Sequence, residues 1–228
     1  MTPNYHTIRF SFFLMALFFI QGCVNLKPPE STARFYVLGA REHTETPSAS
    51  SLVKEDSGIS VGLRRLRLAA YLDTPYIVLR HGTNEVSFSE NHRWGEDLEK
   101  AINRTIQTHL NSHASIRRID AAPWPINTTH DYLLQIHVLQ FEGQTDALLA
   151  EEMPIALEDQ DVQVHLVANW QIIDPNTNDV IHQEKTDVLL GGWNTDIYSN
   201  LVSGLDHTLK AMASDIAATL EAIERDGA

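Results

Sequence analysis

Along most of the chain after residue 33, apolar and polar positions follow two regular spacings that predict the secondary structure. A period of two is typical of half-buried strands, and a recurrence every three or four residues is typical of helices with one apolar face. The clearest alternation runs from Val162 to Ile172, where even positions are apolar and most odd positions are polar. The sequence predicts strands over residues 35–38, 59–68, 76–80, 85–88, 115–119, 132–141, 162–172 and 180–190.

Two stretches show the helical recurrence instead. Apolar residues every four positions over 94–110 predict an amphipathic helix, with Ser89 or Asn91 as its cap. A similar face over 197–220 predicts a long C-terminal helix. The order of strands, helix, strands, helix favours an α/β (α+β) fold. We expect a single two-layer sandwich, with a mostly antiparallel or mixed sheet and two main helices on one face.

The amino terminus has the layout of a bacterial export signal. A head carrying Arg9 precedes an apolar run of 11 residues, Phe10–Ile20, and a spanning helix needs about 20. The run leads to Gly22 and Cys23, and this ending resembles a lipoprotein lipobox. That resemblance implies a diacylglyceryl group on the Cys23 thiol and cleavage just before it. The predicted domains are a signal peptide over 1–22, a lipidated tether over 23–33 and an α/β domain over 34–228.

Cysteine usage and tether length support a membrane-anchored chain. Cys23 is the only cysteine, so its acylation leaves the mature fold without a thiol. The ten residues of 24–33 reach about 35 Å at most, which keeps the domain near the bilayer. Val24 follows the cysteine where, by the lipoprotein rule, aspartate means retention in the inner membrane. The expected location is the periplasmic face of the outer membrane, through a lipid anchor.

The charge narrows the choice of partners. The chain has 17 basic and 30 acidic residues and a net charge of −13. Binding to nucleic acid depends on Lys and Arg contacts to phosphates, so this balance disfavours it. It also disfavours attraction of the whole chain to anionic lipid head groups, so we expect the acyl anchor to make the membrane link.

No pattern of residues indicates catalysis or a cofactor. Eleven histidines are present, and His137 and His165 could approach each other if their strands pair. No spaced ligand motif accompanies them, and no cysteine remains to bind a metal. The chain also lacks the Gly-x-Ser-x-Gly elbow of serine hydrolases. We therefore expect no metal, no cofactor and no enzymatic activity.

Several segments stand out by their order and spacing along the chain. They are Tyr36-Val37-Leu38, Leu68–Asp73, Asn84–Phe88, Arg93-Trp94 with Leu98, Asp131–Leu134, Phe141-Glu142-Gly143 and Tyr198–Ile216. Together these segments resemble the ABC-transport auxiliary lipoproteins of the PqiC or YmbA type, and the most specific block lies within residues 68–110.

The resemblance implies a non-enzymatic lipoprotein of the outer membrane. Its implied partner is an MCE-domain protein of an intermembrane lipid transport system, whose conduit it would dock while supporting envelope integrity. A homo-oligomeric ring is compatible with the family. The alternative is a periplasmic binding module of the same fold that regulates a cell-envelope synthase. An esterase acting on envelope substrates is a third hypothesis.

The stretch from Gly143 to Asp161 departs from shorter family members. It mixes six acidic residues with apolar ones. Apolar side chains in an acidic loop favour burial against another molecule. The residues predicted to make such a partner contact are Leu148, Leu149, Met153 and Ile155. A solvated hairpin extension without a partner is the alternative.

Overall fold

In the computed structural model, the described residues (32–39, 58–145, 162–193 and 197–227) form nine strands and two α-helices. The strands are β1 (Arg34–Tyr36), β2 (Ile59–Leu63), β3 (Arg67–Leu68), β4 (Tyr76–His81), β5 (Glu85–Trp94), β6 (Ile116–Ala121), β7 (Tyr132–Thr145), β8 (Val162–Ile173) and β9 (Val180–Trp193). The helices are α1 (Leu98–Ser112) and α2 (Ile197–Gly227), and a 3-10 turn spans Ala70–Leu72. The predicted α/β class is confirmed.

Strand β7 is the centre of one mixed sheet. Antiparallel β8 pairs with one edge of β7, and β9 pairs antiparallel with β8. The other edge of β7 is shared along its length by β2, β3 and β4, all parallel to it. Strand β6 extends the sheet beyond β2, whereas β5 and then β1 extend it beyond β4. Strands β1 to β6 therefore lie on one side of β7, and β8 and β9 lie on the other.

The two helices form the second layer. They pack against each other, with α1 on β6 and α2 on β8 and β9. Both bury one face, and α2 does so through apolar residues three or four positions apart, such as Leu201, Leu205, Leu209, Met212, Ile216 and Leu220. Their buried side chains belong to the same core cluster as those of the sheet. The long apolar stripes are thus explained by helix–sheet packing.

Helix α1 begins later than the sequence predicts. Its spacing suggested a start at Trp94 with Ser89 or Asn91 as cap, but Trp94 ends β5 and is buried there. The cap is Asp97, whose side chain accepts a hydrogen bond from the Lys100 backbone N–H at 3.0 Å. The prediction was wrong because Trp94 and the buried residues of α1 pack in the same core, although Trp94 belongs to a strand.

The predicted strand over 59–68 is two strands, β2 and β3. All five residues of β2 are buried, so both of its faces are covered. On one side Gly62 leaves no room for a side chain, since a Cβ there would lie 2.8 Å from His130 Nδ1. The segment leading into β7 therefore covers the face of β2 that lacks the helices, and full burial replaces the half burial that alternation suggests.

An irregularity in β7 decides which of its side chains reach the core. The register of β7 against β8 shifts between Val138 and Gln140. Before the shift Ile136 and Val138 are core residues, and after it Phe141 is. Glu142, next to Phe141, consequently lies on the face of the sheet away from the helices, which we call the outer face.

Residues 33–228 group into one compact unit. Within the described ranges, no helix combines the length and apolar composition that crossing a bilayer requires. The proposed boundaries of signal peptide, tether and domain stay predictions.

Candidate functional site

The residues predicted to carry function lie outside the described part of the chain. They are the lipidation site Cys23 and the partner-contact residues Leu148, Leu149, Met153 and Ile155. The last four belong to the connection between β7 and β8, whose antiparallel pairing extends to Gln144 and Gln163. The structure describes the hairpin that carries this connection, and the roles of the five residues stay predictions.

A row of ionisable side chains crosses the outer face near that end of β7. We call it the polar row, and it comprises Arg80 of β4, Glu142 of β7, His165 of β8, and Asp187 and Lys185 of β9. His165 is the register partner of Glu142, and its Nε2 lies 2.8 Å from Asp187 Oδ1. Glu142 is fully buried, whereas Asp187 and Lys185 are about half exposed. The row thus runs from a buried end to an exposed end.

At the buried end, Glu142 is held by two donors. Arg80 Nε donates to Oε1, and the Tyr71 hydroxyl donates to Oε2 at 2.7 Å, with the Leu139 carbonyl oxygen 3.0 Å from the same hydroxyl. Burial, followed by the hydrogen bond to Glu142 and its charge, raises the pKa of Tyr71 above its ordinary range. The hydroxyl therefore remains a protonated donor at neutral pH.

This network joins three separate segments of the chain. Tyr71 lies in the 3-10 turn, and Arg80 also donates from Nη1 to the Thr83 carbonyl oxygen, at 3.1 Å, in the turn between β4 and β5. Glu142 has no exposed surface, so its carboxylate is closed to bulk solvent and to a substrate that arrives from it. The arrangement is suited to fixing the outer face next to the β7–β8 connection and is unsuited to acid–base catalysis.

The exposed end of the row is held by weaker contacts. Lys185 Nζ donates to Asp187 Oδ2 at 2.7 Å. The hydrogen bond from Lys185, and then that from His165, lowers the pKa of Asp187. Because solvent screens exposed pairs, these contacts add little to stability but leave fixed charges on the surface of β9.

A second cluster joins β1, β5 and α2 through aromatic rings. His92 stacks on Tyr198 with ring centroids 3.6 Å apart, and Tyr36 is hydrogen-bonded to His92 Nδ1 at 2.8 Å. Burial raises the pKa of Tyr198. Beside these rings an open pocket of about 250 Å³ lies between the segment Tyr36–Gly39 and the first turns of α2. The cluster attaches the short edge strand β1 to the body of the domain.

The histidines do not assemble into a metal site in the part of the chain that the structure describes. Strands β7 and β8 do pair, but His137 faces Asn169 whereas His165 faces Glu142. Among the described residues, no three His, Cys, Asp or Glu side chains are grouped so that they could hold a metal ion. The register of β7 against β8 therefore keeps His137 and His165 apart, although their strands pair.

Charge is divided between the two sides of β7. Described residues up to Ala121, which include β1 to β6 and α1, carry ten basic and seven acidic side chains, a net charge of +3. Described residues after Ala121 carry three basic and eleven acidic side chains, a net charge of −8. We call these the basic half and the acidic half. Among the described residues, the excess of negative charge therefore lies in the part of the chain that holds β7–β9 and α2.

Segments that carry the sequence resemblance meet in these clusters. Tyr71, from the block 68–73, donates to Glu142. The rings of Trp94 and Phe141 lie 6.3 Å apart, and Tyr36 meets Tyr198 across His92. Sequence reasoning assigned no role to Tyr71 or Arg80. One signal was present, since an acidic residue inside an apolar strand requires a buried partner.

Comparisons with known proteins agree with this architecture. The sequence model of the family described as ABC-type transport auxiliary lipoprotein component matches residues 36–217. Protein XCC0632 from Xanthomonas campestris, of the DUF330 family, is 14% identical over 86% of this chain and 95% of that chain, with a TM-score of 0.59. An uncharacterized protein of solved structure is 16% identical over 72% of this chain and 94% of that chain, with a TM-score of 0.53. No curated protein is significantly similar to this chain in sequence. At these identities the two structures show a shared fold.

Proposed function

Because the chain belongs to the family of ABC-type transport auxiliary lipoprotein components, we propose that it is a non-enzymatic lipoprotein of the outer membrane. In this proposal Cys23 carries the lipid, and the domain serves an intermembrane lipid transport system built on an ABC transporter and an MCE-domain protein. Its task is to dock the far end of that conduit and so to support envelope integrity.

The observation that carries the proposal is the extent of the family match. It begins at Tyr36, the last residue of β1 and three residues after the predicted tether, and continues into α2, so it includes all of β2–β9. The tether is short, which supports a domain that works within about 35 Å of its anchor. A subunit held so close to a membrane is suited to receiving a partner that arrives from the opposite membrane.

The acidic half supports a docking role for the β7–β8 connection. Strands β7 and β8 belong to that half, and the polar row fixes the outer face near the ends of the two strands that lead into the connection. We propose that Leu148, Leu149, Met153 and Ile155 contact the MCE-domain protein. The separation of a basic half from an acidic half also favours head-to-tail contacts between copies, which is compatible with a homo-oligomeric ring.

Co-purification tests the function. The full chain is recovered from membranes after mild crosslinking, and bound proteins are identified by mass, with Cys23→Ala as the unanchored control. We expect the MCE-domain protein to be recovered with the anchored chain and to be strongly reduced with the control. Specific recovery of a cell-envelope synthase without the MCE-domain protein would overturn the proposal in favour of a regulatory binding module.

A surface exchange tests the contact residues. In one variant Leu148, Leu149, Met153 and Ile155 become Ser, and in a matched control Val180 and Ile181, exposed apolar residues of β9, become Ser. We expect the first variant to lose most of the MCE-domain protein while its melting temperature stays unchanged. Undiminished recovery would leave these residues as a solvated extension of the hairpin.

A further inference from the structure

An exposed aromatic and basic surface lies at the edge of the sheet where the folded domain begins. Across β1, β5 and β4, Phe35 is the register partner of Arg93, and Arg93 is the register partner of Tyr76. The three side chains therefore share one face, and the Arg93 guanidinium lies over the Tyr76 ring at 5.1 Å from its centroid. We call Phe35, Val37, Tyr76 and Arg93 the edge patch.

Two apolar residues of the edge patch leave at least half of their surface in contact with solvent. Phe35 is 65% exposed and Val37 is 50% exposed. Both flank Gly95, where an added Cβ would lie 3.1 Å from Val37 Cγ2 and 3.9 Å from Phe35 Cβ. The missing side chain at Gly95 lets the two apolar groups lie side by side. Adjacent exposed apolar groups gain free energy when another apolar phase covers them.

The position of the edge patch indicates which phase that is. Strand β1 is the first element after the predicted tether, so the patch is the part of the fold nearest the anchor along the chain. It also belongs to the basic half, with net charge +3, whereas the acidic half carries −8. An anionic bilayer attracts the first half and repels the second. Phe, Tyr and Arg together suit a membrane interface, because rings and aliphatic stems enter the boundary while polar tips remain in water.

We propose that the edge patch rests on the surface of the anionic bilayer that holds the lipid anchor. Contact there turns the acidic half, with the edge strand β9, away from the membrane. This inference rests on the proposed function for the anchor at Cys23 and adds to it a fixed orientation. A second copy of the chain or a protein partner on the patch is a competing outcome of the test below.

Depth-sensitive labelling of the anchored full chain distinguishes these outcomes. Since Cys23 is the only cysteine and acylation consumes it, an introduced cysteine becomes the single free thiol. Val37→Cys reports on the patch, and Leu189→Cys, 49% exposed on β9, is a matched control in the acidic half. Each variant carries an NBD fluorophore in vesicles of phosphatidylcholine with a minority of phosphatidylglycerol, and doxyl-labelled lipid is the quencher.

We expect the label at Val37 to be quenched several-fold more than the label at Leu189. Removing phosphatidylglycerol should reduce the difference. Adding Phe35→Glu to the Val37 variant should abolish it, while Phe35→Leu should retain it. Circular dichroism melting of every labelled variant establishes that the fold is intact. The Leu control keeps the test valid if the Glu variant unfolds.

Three results would overturn the inference. Equal quenching at the two positions in protein that floats with the vesicles would do so and would leave the proposed function intact. If the label at Val37 is shielded in detergent without lipid, and the shielding increases with protein concentration, the patch would be assigned to contact with a second copy of the chain. Failure of the full chain to float with vesicles, with a free thiol at Cys23, would remove the anchor and with it the proposed function.

Discussion

The two ends of the polar row place similar charged groups in opposite surroundings. At the buried end, Glu142 and Arg80 lie under the 3-10 turn, with Tyr71 completing the shell of donors. At the exposed end, Asp187 and Lys185 lie on the edge strand β9 with about half of each side chain in water. The chemical groups are alike, so differences in their energetic effect arise from burial.

One face of the sheet thus supplies both rigidity and surface charge. A buried carboxylate that loses its partners cannot recover hydration, so its contacts are obligatory. An exposed carboxylate exchanges a partner for water at little cost. The buried end therefore fixes the outer face near the β7–β8 connection, and the exposed end contributes to the negative charge that the proposed orientation turns away from the membrane.

Removing Glu142 should have the largest effect. Glu142→Ala removes the carboxylate that balances the Arg80 charge and accepts from the Tyr71 hydroxyl, and breaking a buried pair in this way costs about 3–5 kcal/mol. The free energy of unfolding in urea measures the loss. The paired replacement of Arg80 by Met and Glu142 by Leu should recover most of it, because no unpaired charge remains. A loss below about 1 kcal/mol for Glu142→Ala would contradict this prediction, because it would show that the Arg80–Glu142 pair stabilises the fold no more than an exposed pair such as Asp187–Lys185.

Removing the Tyr71 hydroxyl should have an intermediate effect. Tyr71→Phe deletes a hydrogen bond to a charged acceptor, worth about 1.5–3 kcal/mol. The raised pKa of Tyr71 adds a pH dependence, because above about pH 10 the unfolded chain loses this proton while the folded chain keeps it. Stability of the unmodified chain should therefore fall as pH rises above that value.

A urea titration at neutral and at alkaline pH checks both parts of the Tyr71 prediction. The Tyr71→Phe variant should be less stable at neutral pH and should lose less stability on going to alkaline pH. Tyr76→Phe is the control, since its ring lies on Arg93 and no hydrogen bond of its hydroxyl is found among the described residues. If Tyr71→Phe and the unmodified chain lost the same free energy of unfolding between neutral and alkaline pH, the raised pKa of Tyr71 would be contradicted.

Much of the fold follows from periodicity, and the exceptions have physical causes. Alternation over 162–172 predicts β8 because a single face of that strand meets the helices. The start of α1 was wrong because Trp94 fits a helical spacing while a strand holds it. The predicted strand over 59–68 was wrong in extent because the chain leaves the sheet between β2 and β3, and spacing alone does not register that departure.

The clusters on the outer face could be predicted less well than the elements. Tyr71, Arg80 and Glu142 come from three segments, and only the pairing of β4 with β7 and the return of the 3-10 turn bring them together. The edge patch depends on the parallel pairing of β1 with β5, which local sequence does not specify. The sequence does reveal single residues that are unusual for their position. Glu142 is an acidic residue in an apolar strand, and Phe35 and Tyr36 are aromatic residues beside the predicted tether.

The exposed end of the row should show the smallest effect, and its pH dependence has the opposite sign from that of Tyr71. Asp187→Asn removes an exposed pair with Lys185, worth about 0.2–1 kcal/mol. Because the pKa of Asp187 is lowered in the folded chain, its contribution is present above its ordinary pKa of 3.8 and is lost as pH falls through the folded value. Urea titrations near pH 7 and below pH 4 should therefore differ slightly less for Asp187→Asn than for the unmodified chain, and added salt should remove that difference. A loss for Asp187→Asn as large as that for Glu142→Ala would show that burial does not divide the row and that β9 is covered in solution by another molecule.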